Sequence, residues 1–142
     1  MQEQKHSVML EQKKSLTVSG VESVASFSEV KIVLTLLGGE PMEPINQAGL
    51  LPFVEEVRRR FPEKTIWCYT GYTFDENTGG LQENHVNTPD TKRLISLFDV
   101  LIDGAYVEEL HDIRLRFRGS SNQRVIDVQK SLTQNRCVLY LE

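Results

Sequence analysis

The stretch LTLLGGEPMEPINQAGLLPF, Leu34 to Phe53, decides the fold. It closes a nearly continuous apolar run that begins at Val30 and is broken by Lys31 and Thr35. Such a run suits a strand covered on both faces, as the strands of parallel sheets are. Gly38 and Gly39 then turn the chain. Beyond them Leu50, Val54, Val57 and Phe61 fall on one helical face, while Glu55, Glu56, Arg58, Arg59 and Arg60 face water. The reading places Pro52 near the start of this helix, where proline is tolerated, and ends the helix at Pro62.

Downstream the same alternation continues. Thr65 to Thr70, TIWCYT, is β-branched and aromatic and reads as a strand. Tyr72 to Pro89, with Gly79, Gly80 and several Asn and Asp residues, reads as a long loop. Asp90 can cap a helix carrying Leu94, Ile95 and Phe98. Val100 to Ile102 is a short buried strand ending at Asp103-Gly104. These spacings predict βαβ units with right-handed crossovers. In the last third, Tyr106 to Leu110 links, Ile113 to Phe117 alternates like a strand, and Val125 to Val128 and Arg136 to Leu141 read as two further strands.

Upstream, Met1 to Lys14 is polar and expected to fray. Ser15 to Gly20, SLTVSG, alternates Leu16 and Val18 with small polar residues and reads as a half-buried strand. Leu16 to Val18 or Val30 to Leu36 is expected to add to the sheet, the second being preferred because it leads straight into the glycines. On that reading Ile32→Asp unfolds or aggregates the chain, whereas the same change at Val8 costs little.

At 142 residues the chain is most simply one domain with room for a real core. A formal charge of −4 argues against a general nucleic-acid binder. No apolar run approaches the ~20 residues that span a bilayer, so no membrane partner is expected. The N-terminus lacks the apolar stretch of a signal peptide, which makes the cytoplasm the expected compartment. The two cysteines, Cys68 and Cys137, form neither a disulfide framework nor a metal-ligand cluster, and read as buried free thiols.

The candidate site collects at predicted strand ends. Gly38-Gly39-Glu40-Pro41 lies at the carboxyl end of a predicted parallel strand, where open α/β sheets place their ligands. Glycines let the backbone approach a ligand and take positive φ. Exposed carbonyls and Glu40 suit a cationic group such as an α-ammonium, and the lysine and hydroxyl of a phosphate loop are absent. Taken alone, the four residues also read as an ordinary turn. Tyr69, Thr70 and Gly71 end the next strand and either line the same crevice or pack there. Asp103 either bonds a ribose hydroxyl or closes a loop. In RFRGSSNQR, Arg118 and Arg124 flank Ser120 and Asn122. Arginine forks grip carboxylates bidentately, so the motif either holds a ligand or partner carboxylate or forms a hydrogen-bonded turn. His85 and His111 are read as neither ligands nor bases.

LGGEPMEPINQAGLLPF, TIWCYTGYTF, LFDVLIDGAYVEELHDIRLRFRGSSNQRVIDV and VLYLE together resemble the activating proteins of anaerobic ribonucleoside-triphosphate reductases, small radical S-adenosylmethionine oxidoreductases. The resemblance runs from about Leu36 to Glu142. It implies an α/β fold, a partial (βα) barrel with a parallel sheet. It also implies that Gly38, Gly39, Glu40 and Pro41 hold the amino group of S-adenosylmethionine, and that the large reductase subunit is the partner. In that family a reduced 4Fe-4S cluster cleaves S-adenosylmethionine to a 5′-deoxyadenosyl radical, which takes hydrogen from a glycine of that subunit. The family's CxxxCxxC cluster loop precedes the GGEP strand. Nothing upstream of Cys68 is a cysteine here, so the chain is expected to lack the radical chemistry and to keep part of the S-adenosylmethionine pocket.

His6 to Leu34, by contrast, resembles the opening of YabP-type sporulation proteins through HSVMLE, LTVSGV and the later SF and IVL. That implies a chain joined near Leu34 to Leu37, with a short β-rich piece over residues 1–35 and an activase-like domain over 36–142. The competing expectation is a non-enzymatic sporulation or assembly module that binds no S-adenosylmethionine.

Overall fold

The computed structural model describes residues 8–10 and 31–141. Among these residues six strands form one sheet whose spatial order follows the chain: β1 (Val8–Leu10), β2 (Ile32–Leu36), β3 (Thr65–Tyr69), β4 (Val100–Asp103), β5 (Arg124–Asp127) and β6 (Leu139–Leu141). Three helices connect them: α1 (Pro44–Arg60), α2 (Thr91–Ser96) and α3 (Val128–Gln134).

The architecture is α/β, and its sheet is mixed. Pairs β2–β3 and β3–β4 are parallel, each bridged by a helix; β1–β2, β4–β5 and β5–β6 are antiparallel. The expected parallel sheet therefore exists only at the centre. A parallel return needs a long crossover, usually a helix, and residues 104–123 between β4 and β5 supply only a 3-10 turn, Glu108–Leu110. Among the described residues the sheet is open, with β1 and β6 at its edges, and barrel closure is not seen.

Strand alternation sorts the core onto two faces. Ile66 and Cys68 of β3, Leu101 of β4 and Ile126 of β5 join Leu50, Val54 and Val57 of α1, Leu94 and Ile95 of α2 and Val128 of α3 in the main core. Trp67, Val100, Ile102 and Val125 form a smaller cluster, with Ile32, Tyr69 and Leu141 against it. Phe117 and Tyr140 meet Trp67 edge-on at centroid distances of 4.8 and 5.4 Å.

Several local expectations change. Helix α1 begins at Pro44, so Pro52 sits in its interior on an exposed side rather than near its start. The apolar period misses the first turns because they are buried through polar Asn46 and Gln47. Gln47 is fully satisfied there: its amide donates to the carbonyls of Met42 and Val86 at 2.7 and 2.8 Å, and its oxygen accepts from Thr88 and Thr91. Arg58, expected to face water, turns inward onto Asp99 at 2.6 Å and the carbonyls of Lys64 and Leu97.

Ile113 to Phe117 forms no strand. It lies in turns with Ile113 85% exposed, since no neighbouring strand pairs with it. Val128, expected to end a strand, instead starts α3, where Asp127 caps the helix through Lys130 N–H at 3.0 Å. The strand expected over Arg136 to Leu141 shortens to Leu139–Leu141. Val8–Leu10 is a strand paired with β2, not a frayed end. The SLTVSG strand, with Leu16 and Val18, lies outside the described residues. Ile32 does enter the sheet, as the start of β2. No helix among the described residues is long and apolar enough to cross a membrane.

Candidate functional site

Three parallel strands end on one rim, two of them followed by a predicted site motif: GGEP comes after β2 and Thr70-Gly71 after β3, while Gly104 follows β4. Between them lies a cleft of about 230 Å³ lined by Gly38, Glu40, Pro41, Tyr69, Thr70, Gly71, Gly104, Tyr106 and Gln123. A larger hollow of about 460 Å³ lies beside α2. It collects none of the predicted site residues, and the amide of its Asn87 is spent on the backbone of Leu81.

Gly38, Gly39 and Glu40 have φ of 73°, 56° and 50°, three consecutive left-handed residues. Two glycines make such a turn accessible, and Glu40 takes it at a steric cost that its contacts must offset. Asn46 on the first turn of α1 donates to the carbonyls of Gly39 and Glu40 at 3.1 and 2.9 Å. The Glu40 carboxylate accepts from Met42 N–H at 2.9 Å, from the Thr70 hydroxyl at 2.6 Å and from Gly71 N–H at 2.7 Å. Glu40 thus ties the end of β2 to the end of β3. Thr70 continues the link: its N–H donates to the Ile102 carbonyl at 2.9 Å and its hydroxyl accepts from Tyr72 N–H at 3.1 Å.

Beside the cleft, the Tyr72 hydroxyl donates to Glu43 at 3.0 Å. Burial, and then that bond to a carboxylate, push its phenol up to about 12. His85 stands edge-on to the Tyr72 ring at 5.9 Å.

Asp103 and Arg124 find each other. Asp103 is 1% exposed and accepts from Arg124 at 3.0 and 2.6 Å and from Phe74 N–H at 2.8 Å. The pair ties the loop after β3 to β4 and β5. The polar residues of RGSSNQR face the 104–110 segment. Gln123 donates to the Gly104 carbonyl at 2.9 Å, Asn122 to Ala105 at 2.7 Å, and Ser120 Oγ accepts from Val107 N–H at 3.1 Å. Arg118 donates to the Gln123 carbonyl. Together these bonds clamp the strip of chain that carries Tyr106. Sequence reading missed Tyr106, Gly104 and Gln123 as cleft residues. The glycine after Asp103 was the available signal, since Gly104 takes φ 100°.

A family model described as a 4Fe-4S single cluster domain matches residues 3–126. The chain belongs to this family. The match crosses the supposed join near Leu34 to Leu37, and nothing in the comparisons supports a YabP-type start or a joined chain. Similar curated proteins carry the name anaerobic ribonucleoside-triphosphate reductase-activating protein. That of Haemophilus influenzae is 43% identical over 90 residues, 63% of this chain and 52% of the relative. That of Escherichia coli K12 is 39% identical over 93 residues, 65% and 53%. The one from Enterobacteria phage T4 is 37% identical over 113 residues, 77% and 63%. The chain spans about half the length of the first of these relatives. No solved structure matches it significantly.

The family's cofactors can be tested against the residues present. A four-iron cluster needs a set of thiolates, and this chain has two cysteines. Cys68 is fully buried in the core, where burial drives its thiol well above the ordinary range, and burial also raises that of Cys137. No group of three His, Cys, Asp or Glu positioned to hold a metal occurs among the described residues. The donor set does not fit the cluster. The cleft itself offers a carboxylate, Glu40, at one end and a tyrosine ring, Tyr106, at the other. Gly71 between them keeps the floor low, and a Cβ there would meet Glu40 Oε1 at 3.3 Å.

Proposed function

We propose that this chain is an S-adenosylmethionine-binding module of the reductase-activating type, with the large subunit of an anaerobic ribonucleoside-triphosphate reductase as its protein partner. The open sheet is then one part of the barrel expected for such proteins. The observation that carries the reading is the left-handed GGE turn at the end of β2, held by Asn46 and bonded across to Thr70 and Gly71 on the rim of the cleft. Gly38, Gly39, Glu40 and Pro41 receive the ligand's amino group. Tyr69, Thr70 and Gly71 line the middle. Asp103, Arg118, Ser120, Asn122 and Arg124 hold the far wall in place.

Bound S-adenosylmethionine supplies a sulfonium whose one-electron cleavage drives hydrogen abstraction. The chain's two cysteines do not make up the thiolate set of the cluster that would deliver that electron, so the proposed role here is binding and docking.

Isothermal titration of the chain with S-adenosylmethionine tests the reading. One-site saturable binding, competed by S-adenosylhomocysteine, is the expected result. Absence of binding by the folded chain sinks it.

A further inference from the structure

Two aromatic rings line the cleft, and they stand differently. Tyr69 ends β3 in the middle of the rim, whereas Tyr106 stands on the β4 side. β2 and β4 are separated by one strand, so a ligand anchored at the GGEP turn must reach about 10 Å across the end of β3 to arrive at Tyr106. For S-adenosylmethionine held by its amino group, the part that arrives there is the adenine.

Tyr106 is built to receive a flat ring. Its side chain is half exposed, yet the chain around it is fastened on both sides. Gln123 holds Gly104, Asn122 holds Ala105 and Ser120 holds Val107. The Tyr106 hydroxyl donates to Glu108 at 2.8 Å. Its ring also rests against the bare backbone of Gly119: a Cβ there would come within 3.1 and 3.2 Å of the ring carbons Cε1 and Cδ1. Gly119 in turn is fixed by its N–H to Gln123 Oε1 at 2.9 Å. An aromatic side chain whose ordering cost is met before the ligand arrives makes a better stacking surface than a mobile one.

We propose that Tyr106 is the adenine-recognising residue of the cleft, and that the 118–123 turn, through Gly119 and Gln123, sets the position of its ring. The inference rests on the S-adenosylmethionine reading above and deepens it.

Isothermal titration of the wild-type chain and of Tyr106→Ala, Tyr106→Phe and Gly119→Ala tests it, with thermal melting confirming that each variant folds. The ligands are S-adenosylmethionine, S-adenosylhomocysteine and S-methylmethionine, which keeps the sulfonium and amino acid but has no adenine. Tyr106→Ala is expected to weaken both adenosyl ligands about tenfold, within the usual range for losing a base–aromatic stack. Tyr106→Phe is expected to stay close to wild type, and Gly119→Ala to weaken the same two ligands by displacing the ring. Tyr106→Ala that binds S-adenosylmethionine like wild type overturns the inference and leaves the binding reading intact. So does equal weakening of S-methylmethionine, which would mark a collapsed cleft rather than lost adenine contact. A wild-type chain that binds none of the three removes both.

Discussion

Glu40 shows how a residue can be legible in type and hidden in role. Its carboxylate invites a cation, and three donors also hold it in place: Met42 N–H, the Thr70 hydroxyl and Gly71 N–H. Its work in the folded chain is to join two strand ends. A glutamine keeps one acceptor oxygen and turns an NH2 toward donors that have no other partner here. Glu40→Gln is therefore expected to cost about 1–3 kcal/mol, and for a chain of this size to lower Tm by several degrees. Differential scanning fluorimetry reads this directly, and an unchanged Tm would show that the three bonds contribute nothing net.

Tyr72 offers a pH signature from the same neighbourhood. An unfolded chain loses the phenol proton near the ordinary value of 10, and the folded one holds it to about 12. Above pH 10 the unfolded state thus binds fewer protons than the folded state. Stability from this group is complete below pH 10 and is lost as pH rises to 12. Melting temperatures across that window are expected to fall more steeply in wild type than in Tyr72→Phe.

At the scale of elements, β2 leads into the GGEP turn and is buried at Val33, Leu34 and Leu36. It pairs with β1 on one side and β3 on the other, with Val8 opposite Leu36 and Leu34 opposite Leu10 and Ile66. Within it, burial ranks the residues: Leu34 is 0% exposed in the main core, whereas Ile32 only borders the smaller cluster. Leu34→Ala is expected to cost about 2–5 kcal/mol through lost transfer energy and a residual cavity, and Ile32→Ala clearly less. Urea titration with unchanged m-values would show this order; equal costs would mean that the second face is packed as tightly as the first. Val8 lies in β1, whose backbone pairs with this strand.

For the molecule as a whole, the question is whether this chain alone carries a four-iron cluster, as its family description suggests. Cys68 is locked in the core, and the chain's only other thiol is Cys137. Anaerobic reconstitution with iron and sulfide, followed by metal and sulfide analysis, is expected to leave substoichiometric iron on the monomer. Four irons and matching sulfide per chain would show that a ligand set without three cysteines suffices.

The sequence by itself determined the central β2–α1–β3–α2–β4 unit, because long apolar runs, glycine stops and a helical apolar period are local signals that backbone geometry obeys. It also determined that GGEP and the Thr70-Gly71 pair share one rim, since parallel strands joined by right-handed crossovers end on the same side. Three things were settled only by the tertiary structure. The first turns of α1 were hidden because they bury Asn46 and Gln47, polar residues whose partners lie elsewhere in the chain. The antiparallel return of β5 was hidden because strand direction depends on the path of residues 104–123, and their alternation of Ile113, Leu115 and Phe117 imitates a strand that finds nothing to pair with. The partnering of Asp103 with Arg124, and of Ser120, Asn122 and Gln123 with the 104–107 backbone, depends on distances across the fold. Spacing along the chain can nominate a carboxylate, an amide or a guanidinium for a ligand. Only packing decides whether another residue has reached it first.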